Sequence, residues 1–230
     1  ISGTYLEPEN TQIQLEAGWN MIGYLRTDEV SAVSILADLN DSGNLVIAKD
    51  YLGGAYLPEW GFNGIGLMEP GKGYQVKTIS ADVLEYLPMS QEYRNSPIEK
   101  TDNTPTHYGQ SKITDHNMSI VILDNAWEQK PNIDSEIAVF NNIGIQVGSA
   151  KYTSPVSVVT VWGDDTQTEN IDGLLKNESF TLRLWDSETS KDLELKVSSW
   201  ISGGDFYETN AIHQIGSISQ EQHASDSFEF

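Results

Sequence analysis

The chain has 230 residues, of which 38% are hydrophobic and 10% aromatic; this is enough apolar material for packed cores, and it excludes a chain that is disordered throughout. Its 34 acidic and 13 basic residues give a formal net charge of −21, which would repel nucleic acid and anionic membranes and favours solubility or cation binding. The absence of cysteine excludes disulfides, thiol chemistry and cysteine-ligated zinc.

Residues 1–87 form the first predicted unit, which is rich in glycine and aromatic residues. The segments TQIQL, NMIGYL, NLVIAKD and GYQVKT are short and largely apolar or alternating, which predicts four strands. Between the second and third of them, DEVSAVSILADLN has apolar residues at helical spacing. Asp28 is placed to cap this segment and Gly43 to end it, which predicts one helix. The unit is therefore predicted to be a small α+β module.

The second half of the chain changes pattern. Residues 88–116 contain three prolines and no sustained apolar period, which predicts an irregular polar linker. Residues 117–219 hold six strand-like segments of about six to nine residues, typical of an antiparallel β-sandwich; these segments are MSIVIL, SEIAVFN, GIQVGSAKY, VSVVTVWG, SFTLRLWD and DLELKVS. FNNIGIQVG predicts a hairpin with left-handed residues at Asn141, Asn142 and Gly144. Residues 220–230 form a polar tail that we expect to be frayed. The predicted fold class is thus mainly β.

Three stretches of the first unit occur in a recognisable order: LEAGWNMIGYL, VIAKDYLGGAYLPEWGFNGIG and PGKGYQVK. Over about residues 13–87 they resemble a module that recurs in large secreted and cell-surface proteins of marine and Bacteroidetes-type bacteria. The second unit resembles a β-sandwich module of such proteins through its DSEIAVF strand and WGDDTQTENIDG loop. It departs from that pattern at Asp134-Ser135-Glu136, where Gly-Asp-Glu is more usual. The resemblance implies an extracellular, modular and non-catalytic role.

The aromatic residues of the first unit allow two interpretations. Flat rings stack on sugar faces while neighbouring amides bind hydroxyl groups, which predicts a ligand site formed by Trp19, Tyr56, Trp60 and Tyr74. A module of this size also needs large side chains for its core, and the adjacent glycines suit tight turns and close packing. Trp60, in a Pro-Glu-Trp-Gly loop, is the ring that we most expect to be exposed.

A second candidate site is the loop WGDDTQTENIDG. Calcium is bound by six to eight oxygen atoms, which carboxylates clustered on a loop can supply, so calcium is the candidate cofactor; its ligands would be Asp164, Asp165, Glu169 and Asp172. The spacing is not that of an EF-hand, and Asx turns or a helix cap would use the same residues structurally.

No recognisable catalytic pattern accompanies these candidates. The four histidines form no HExxH motif, no Gly-x-Ser-x-Gly occurs, and Gly73 follows Lys72 where a P-loop requires Ser or Thr. No acidic pair stands in the context of a glycosidase site. We therefore expect the chain not to be an enzyme.

The features together predict a non-catalytic structural or adhesive module of an exported bacterial surface or filament-forming protein. It would associate with other copies of itself, or with neighbouring modules, through strand edges and apolar patches. The alternative is a carbohydrate-binding module attached to a secreted polysaccharide-active enzyme. We expect no nucleic-acid partner and no membrane insertion, since no apolar run approaches the roughly 18 residues of a spanning helix. Because the chain begins at Ile1, we also expect a processed product or a piece of a longer protein.

Overall fold

The computed structural model describes residues 7–88, 100–165 and 167–221. It divides the chain into two compact units, Ile1–Thr101 and Asp102–Phe230. Strands dominate the regular structure, so the prediction of a mainly β chain is confirmed. The boundary between the units falls inside the segment 88–116 that the sequence predicts as a linker.

The first unit is built on a five-stranded antiparallel sheet. Its strands occur in chain order as β1 (Ile13–Leu15), β2 (Gly18–Gly23), β3 (Val30–Ser31), β4 (Leu45–Lys49), β5 (Ala55–Leu57), β6 (Phe62–Asn63), β7 (Leu67–Met68), β8 (Gly73–Thr78) and β9 (Asp82–Leu84). The main sheet has the order β2-β8-β4-β5-β6, which leaves β2 and β6 at its edges. Two small sheets pair β1 with β9 and β3 with β7. The four strands predicted in this unit are confirmed as β1, β2, β4 and β8.

The helical segment is shorter and more broken than the sequence predicts. It consists of α1 (Ala32–Ile35) and α2 (Ala37–Asp41), separated by Leu36 at φ −100° and ψ 12°. The helix does not begin beside Asp28, because the chain first pairs as β3 with β7. Gly43, at φ +70°, ends the segment as predicted. Within the described ranges, no helix is long and apolar enough to span a membrane.

Helices and sheet of the first unit enclose one hydrophobic core. Ile35, Leu36 and Leu39 of the helical segment are buried there with one face of the main sheet. The ring of Tyr24 lies 6.5 Å from that of Tyr74 and 6.0 Å from that of Tyr86, measured between centroids. Aromatic side chains thus supply much of the core volume, as a unit of this size requires.

The second unit is a closed barrel of seven strands, where the sequence predicts a sandwich. The strands are β10 (Asn117–Leu123), β11 (Glu136–Phe140), β12 (Gln146–Lys151), β13 (Val156–Trp162), β14 (Thr181–Asp186), β15 (Lys191–Ser202) and β16 (Ile212–Glu221). Their order around the barrel is β10-β13-β12-β11-β14-β15-β16. Strand β16, which the sequence analysis did not predict, pairs antiparallel with β15 and parallel with β10 and so closes the barrel.

The barrel interior is filled by alternating apolar side chains. Met118, Ile120 and Ile122 of β10 are 0% exposed and belong to one core with side chains of all the other strands. Residues 220 and 221, predicted as the start of the tail, lie in β16; the rest of the predicted tail lies outside the described residues.

The predicted hairpin FNNIGIQVG forms between β11 and β12, but its turn works differently. Of the three residues expected to be left-handed, only Gly144 is, at φ +83°. Asn141 instead uses its side-chain Oδ1 to accept hydrogen bonds from the N–H groups of Ile143 and Ile145, at 3.2 and 2.7 Å. The side chain therefore supplies the acceptor that shapes the turn.

Residues 102–116 form an irregular strap that follows the outside of the barrel. The carbonyl of Asn103 accepts a hydrogen bond from the N–H of Lys151 at 2.9 Å. Farther along, the carbonyl of Gly109 accepts one from the hydroxyl of Ser149 at 2.6 Å, and the hydroxyl of Thr114 donates to the carbonyl of Gly163 at 2.7 Å. This part of the predicted linker is irregular, as expected, yet it is tied to the barrel along its length.

Candidate functional site

The Gly-Trp-Asn motif builds the turn that leads into β2. The side-chain Oδ1 of Asn20 accepts from the N–H of Glu16, and its Nδ2 donates back to the carbonyl of Glu16, both at 2.8 Å. Gly18, between them, has φ +95°, a conformation that favours glycine. The motif therefore fixes where the edge strand starts.

The Lys-Asp-Tyr-Leu-Gly-Gly motif builds the turn between β4 and β5. Oδ1 of Asp50 accepts from the N–H groups of Leu52 and Gly54, at 2.9 and 2.7 Å. A side chain at Gly54 would meet the Asp50 carboxylate at 2.6 Å. Burial raises the pKa of Asp50 although these N–H groups act in the opposite direction. Both motifs are thus explained by local turn structure.

Two of the four predicted ligand-binding rings lie in the core. Tyr56 and Tyr74 are each 4% exposed and pack in the core of the first unit. The hydroxyl of Tyr74 accepts a hydrogen bond from the N–H of Glu69 at 2.8 Å. Neither ring presents a face to solvent, so their observed role is packing.

The other two predicted rings, Trp19 and Trp60, are partly exposed. Trp60 ends a short 3-10 helix, Pro58–Trp60, which Gly61 terminates in a left-handed conformation. Trp19 lies in β2, and its ring is approached by the Nζ atoms of Lys49 at 5.4 Å and Lys77 at 5.7 Å. The structure therefore brings Trp19 together with two cations rather than with the other predicted rings.

Lys49 is the most deeply buried cation of this sheet, with 2% of its surface exposed. Its neighbour Ala48 faces the core, so the side chain of Lys49 goes to the opposite face. Burial, with a smaller contribution from the nearby charge of Lys77, lowers the pKa of Lys49 to about 7. The sequence offered no sign of this, because β4 could not be recognised as buried on both faces.

The outer side of β2 is one edge of the main sheet, and no other described strand pairs with it. The N–H of Tyr24 donates to the carbonyl of Lys72 at 3.0 Å and continues the register in which Ile22 pairs with Tyr74. Since successive residues of a strand direct their backbone groups to opposite sides, the even-numbered residues of β2 bond to β8. The N–H and C=O groups of Trp19, Met21 and Gly23 therefore point away from the sheet.

Strand β2 also lacks the residue types that usually protect an edge. Its six residues, GWNMIG, include no charged residue and no proline. Met21, at its middle, is 81% exposed, and a Cβ atom built on Gly23 would meet nothing within 4 Å. An uncharged strand of this length, in a chain of net charge −21, is an accessible template for another strand.

The acidic loop of the barrel unit brings together three of its four predicted calcium ligands. The carboxylate of Asp164 accepts from the N–H of Asp172 at 2.8 Å, and the carboxylate of Asp172 accepts from the N–H of Asp165 at 3.2 Å. Lys112, from the strap, places its ammonium group on the Asp172 carboxylate and lowers the pKa of Asp172. Glu169 is exposed.

Loop hydrogen bonds and Lys112 thus engage one oxygen of Asp164 and both oxygens of Asp172. Across the described residues, no three acidic or histidine side chains converge in an arrangement suited to a metal ion. Calcium binding at this loop stays a prediction.

A buried carboxylate, Glu136, holds the strap and was not among the predicted site residues. Glu136 is 1% exposed and accepts hydrogen bonds from the backbone N–H groups of Thr106, His107 and Tyr108, at 2.6 to 3.0 Å. Burial alone would raise the pKa of Glu136, but these donors outweigh it and lower the pKa. Next to this contact, the ring of His107 stacks on Trp185 at 4.5 Å.

Comparison with known proteins finds no matching family model, no matching curated protein and no matching solved structure. The resemblance to secreted bacterial modules therefore stays a prediction. The accessible features that the geometry itself supplies are the free edge of β2 and the strapped surface of the barrel.

Proposed function

We propose that the chain is a non-catalytic structural or adhesive module of an exported bacterial surface protein or filament, which associates through the free edge of its five-stranded sheet. The single observation that carries this proposal is β2: an edge strand of six uncharged residues whose outward backbone groups face no other strand of the sheet. Edge strands of this kind bind another strand by extending the sheet.

The two units differ in what they offer a partner. The barrel joins β10 to β16 and leaves no edge in its ring of strands, so strand addition there would require opening the barrel. At the other edge of the main sheet, β6 has only two residues. Strand β2 is therefore the edge with the most backbone to offer, and the apolar side chain of Met21 adds to it.

Sedimentation velocity over a range of concentrations up to about 1 mM tests the proposal. The wild-type chain should associate as its concentration rises. Met21→Lys should reduce this association, because a lysine on an edge opposes strand pairing; the fold should be unaffected, since the side chain is already in solvent.

Ile79→Lys provides a matched control, since Ile79 is 68% exposed in the same unit but lies outside β2. It should associate like the wild type. A wild-type chain that stays monomeric at every concentration, or equal behaviour of the two variants, would contradict the proposal.

Carbohydrate binding is the second candidate, and one observation favours it. A shallow cleft of about 230 Å³ on the barrel is lined by Arg183, Asp192, Leu193 and Glu194. Its volume lies below the roughly 300–1,000 Å³ of sites for drug-sized ligands, so only a small ligand or part of a glycan would fit. Glycan-array binding that is lost in Asp192→Asn would support this function, and an array without binding would argue against it.

A further inference from the structure

The outward residues of β2 are complementary to a second copy of the same strand. When two such strands run antiparallel with Met21 opposite Met21, Trp19 lies opposite Gly23 at both ends. All three residues with outward backbone groups then face each other as hydrogen-bonded pairs. We infer that the partner of β2 is the β2 strand of a second copy of this chain, related by a two-fold axis that passes beside Met21.

This inference rests on the proposed function and specifies its partner and register. A two-fold axis at another position along β2 would pair fewer residues of the strand. A two-fold axis beside Asn20 would place Ala17, which lies before β2, opposite Gly23. The axis beside Met21 keeps every pair within β2.

The side chains fit the same register. Trp19 and Met21 lie on one face of the strand, since they are two residues apart. Met21 would meet Met21 of the second copy, and two exposed apolar side chains would be buried against each other. Trp19 would face Gly23, where nothing lies within 4 Å of an added Cβ, so the indole meets no obstructing side chain.

Charge does not oppose the contact locally, although each copy carries −21. β2 contains no acidic residue, and the cations Lys49 and Lys77 lie beside the Trp19 ring. When β2 pairs with the β2 of a second copy, the outward backbone N–H and C=O groups of both strands form hydrogen bonds. Neither strand then has a free edge. The interface therefore closes at a dimer, and a filament would need a second contact elsewhere.

A charge-swap experiment on the full chain tests the register. Met21→Lys and Met21→Glu each place like charges opposite one another in a homodimer, so each alone should associate at least about tenfold more weakly than wild type. An equimolar mixture of the two variants should restore association, because lysine then faces glutamate. Sedimentation velocity of each variant and of the mixture measures this.

Cross-linking gives an independent reading, because the chain has no cysteine. In the inferred register the two Met21 Cα atoms lie about 5.5 Å apart, within the span of a disulfide. Met21→Cys should form a covalent dimer on oxidation at concentrations where the exposed control Ile79→Cys does not.

The outcomes separate this inference from the proposed function. Weak association of both charged variants with no recovery in the mixture would overturn the two-fold register while keeping the β2 edge as the interface. Wild-type association of both charged variants would overturn the proposed function and this inference together. Recovery in the mixture, with the Met21→Cys cross-link, would support both.

Discussion

Lys49 shows at the residue scale how a cation can be held inside a small sheet. Its side chain is 2% exposed, yet its Nζ lies 5.4 Å from the ring of Trp19, which is favourable for a charged ammonium group. Burial and the charge of Lys77 act in the opposite direction and lower the pKa of Lys49 to about 7. Lys49 is therefore partly neutral near physiological pH.

The lowered pKa makes the stability of the first unit depend on pH. Between about 7 and the ordinary lysine value of 10.5, the unfolded chain binds a proton that the folded chain does not. The free energy of unfolding should therefore rise with pH across this window, by up to about 1.4 kcal/mol per pH unit. Lys49→Met should remove that slope, as measured by urea unfolding at a series of pH values from 7 to 10.

Lys72→Met is the control for this measurement. The ammonium group of Lys72 is exposed, and its hydrogen bond to the hydroxyl of Tyr51 raises its pKa, so it titrates above the window. The variant should keep the wild-type slope. Identical slopes in the wild type and Lys49→Met would show that Lys49 does not carry the effect.

At the scale of elements, the strap depends on one buried side chain. The carboxylate of Glu136 satisfies three successive backbone N–H groups of a segment that has no helix or strand of its own. Glu136→Gln removes the charge and directs an amide group at those donors. It should destabilise the barrel unit by about 1.5–3 kcal/mol at neutral pH, the usual value of hydrogen bonds to a charged group.

The pH dependence of this loss follows from the lowered pKa of Glu136. The stabilisation is present above the ordinary glutamate value of 4.5 and is lost as pH falls through the lower value of the folded state. The difference between wild type and Glu136→Gln should therefore vanish in acid. Hydrogen exchange of the amides of residues 106–108 should accelerate in this variant and not in the exposed control Glu128→Gln; unchanged protection would disprove the role of the carboxylate.

The strands that sequence reasoning could and could not recognise differ in their apolar content. VSVVTVWG and SFTLRLWD alternate large apolar residues and were predicted as strands, now β13 and β14. IHQIGSISQE, now β16, has mostly small or polar residues, and its strand character comes from pairing with β15 on one side and with the distant β10 on the other. Because β16 closes the barrel and was not predicted, the sequence pattern was interpreted as an open sandwich.

The candidate sites followed the same rule. The side chains of Asn20 and Asp50 bond to backbone groups only four residues away, so the glycine-rich motifs could be interpreted as turns. By contrast, Lys49 is buried beside Trp19, and Glu136 accepts hydrogen bonds from the strap. In both cases the partner is 28 or more positions away in the sequence. The edge position of β2 likewise follows only from the sheet order. Its uncharged six-residue sequence was the one visible signal.

At the scale of the whole molecule, charge repulsion sets the response to salt. The chain has 34 acidic and 13 basic residues, so most acids have no basic partner and repel one another in the compact state. Added salt screens this repulsion, and it also weakens exposed ion pairs such as Lys196–Glu221. Because such pairs contribute little, the melting temperature should rise between about 20 mM and 500 mM sodium chloride. A fall would mean that the ion pairs outweigh the general repulsion.

The same measurement separates general screening from calcium binding. Calcium and magnesium chloride at equal ionic strength screen alike, so any additional rise in melting temperature with calcium reports a specific site. If the site is the loop of Asp164, Asp165 and Asp172, the additional rise should disappear in Asp165→Asn, which leaves the Lys112–Asp172 ion pair in place. An equal response to both cations would assign these carboxylates to the loop itself, where backbone N–H groups and Lys112 already bind them.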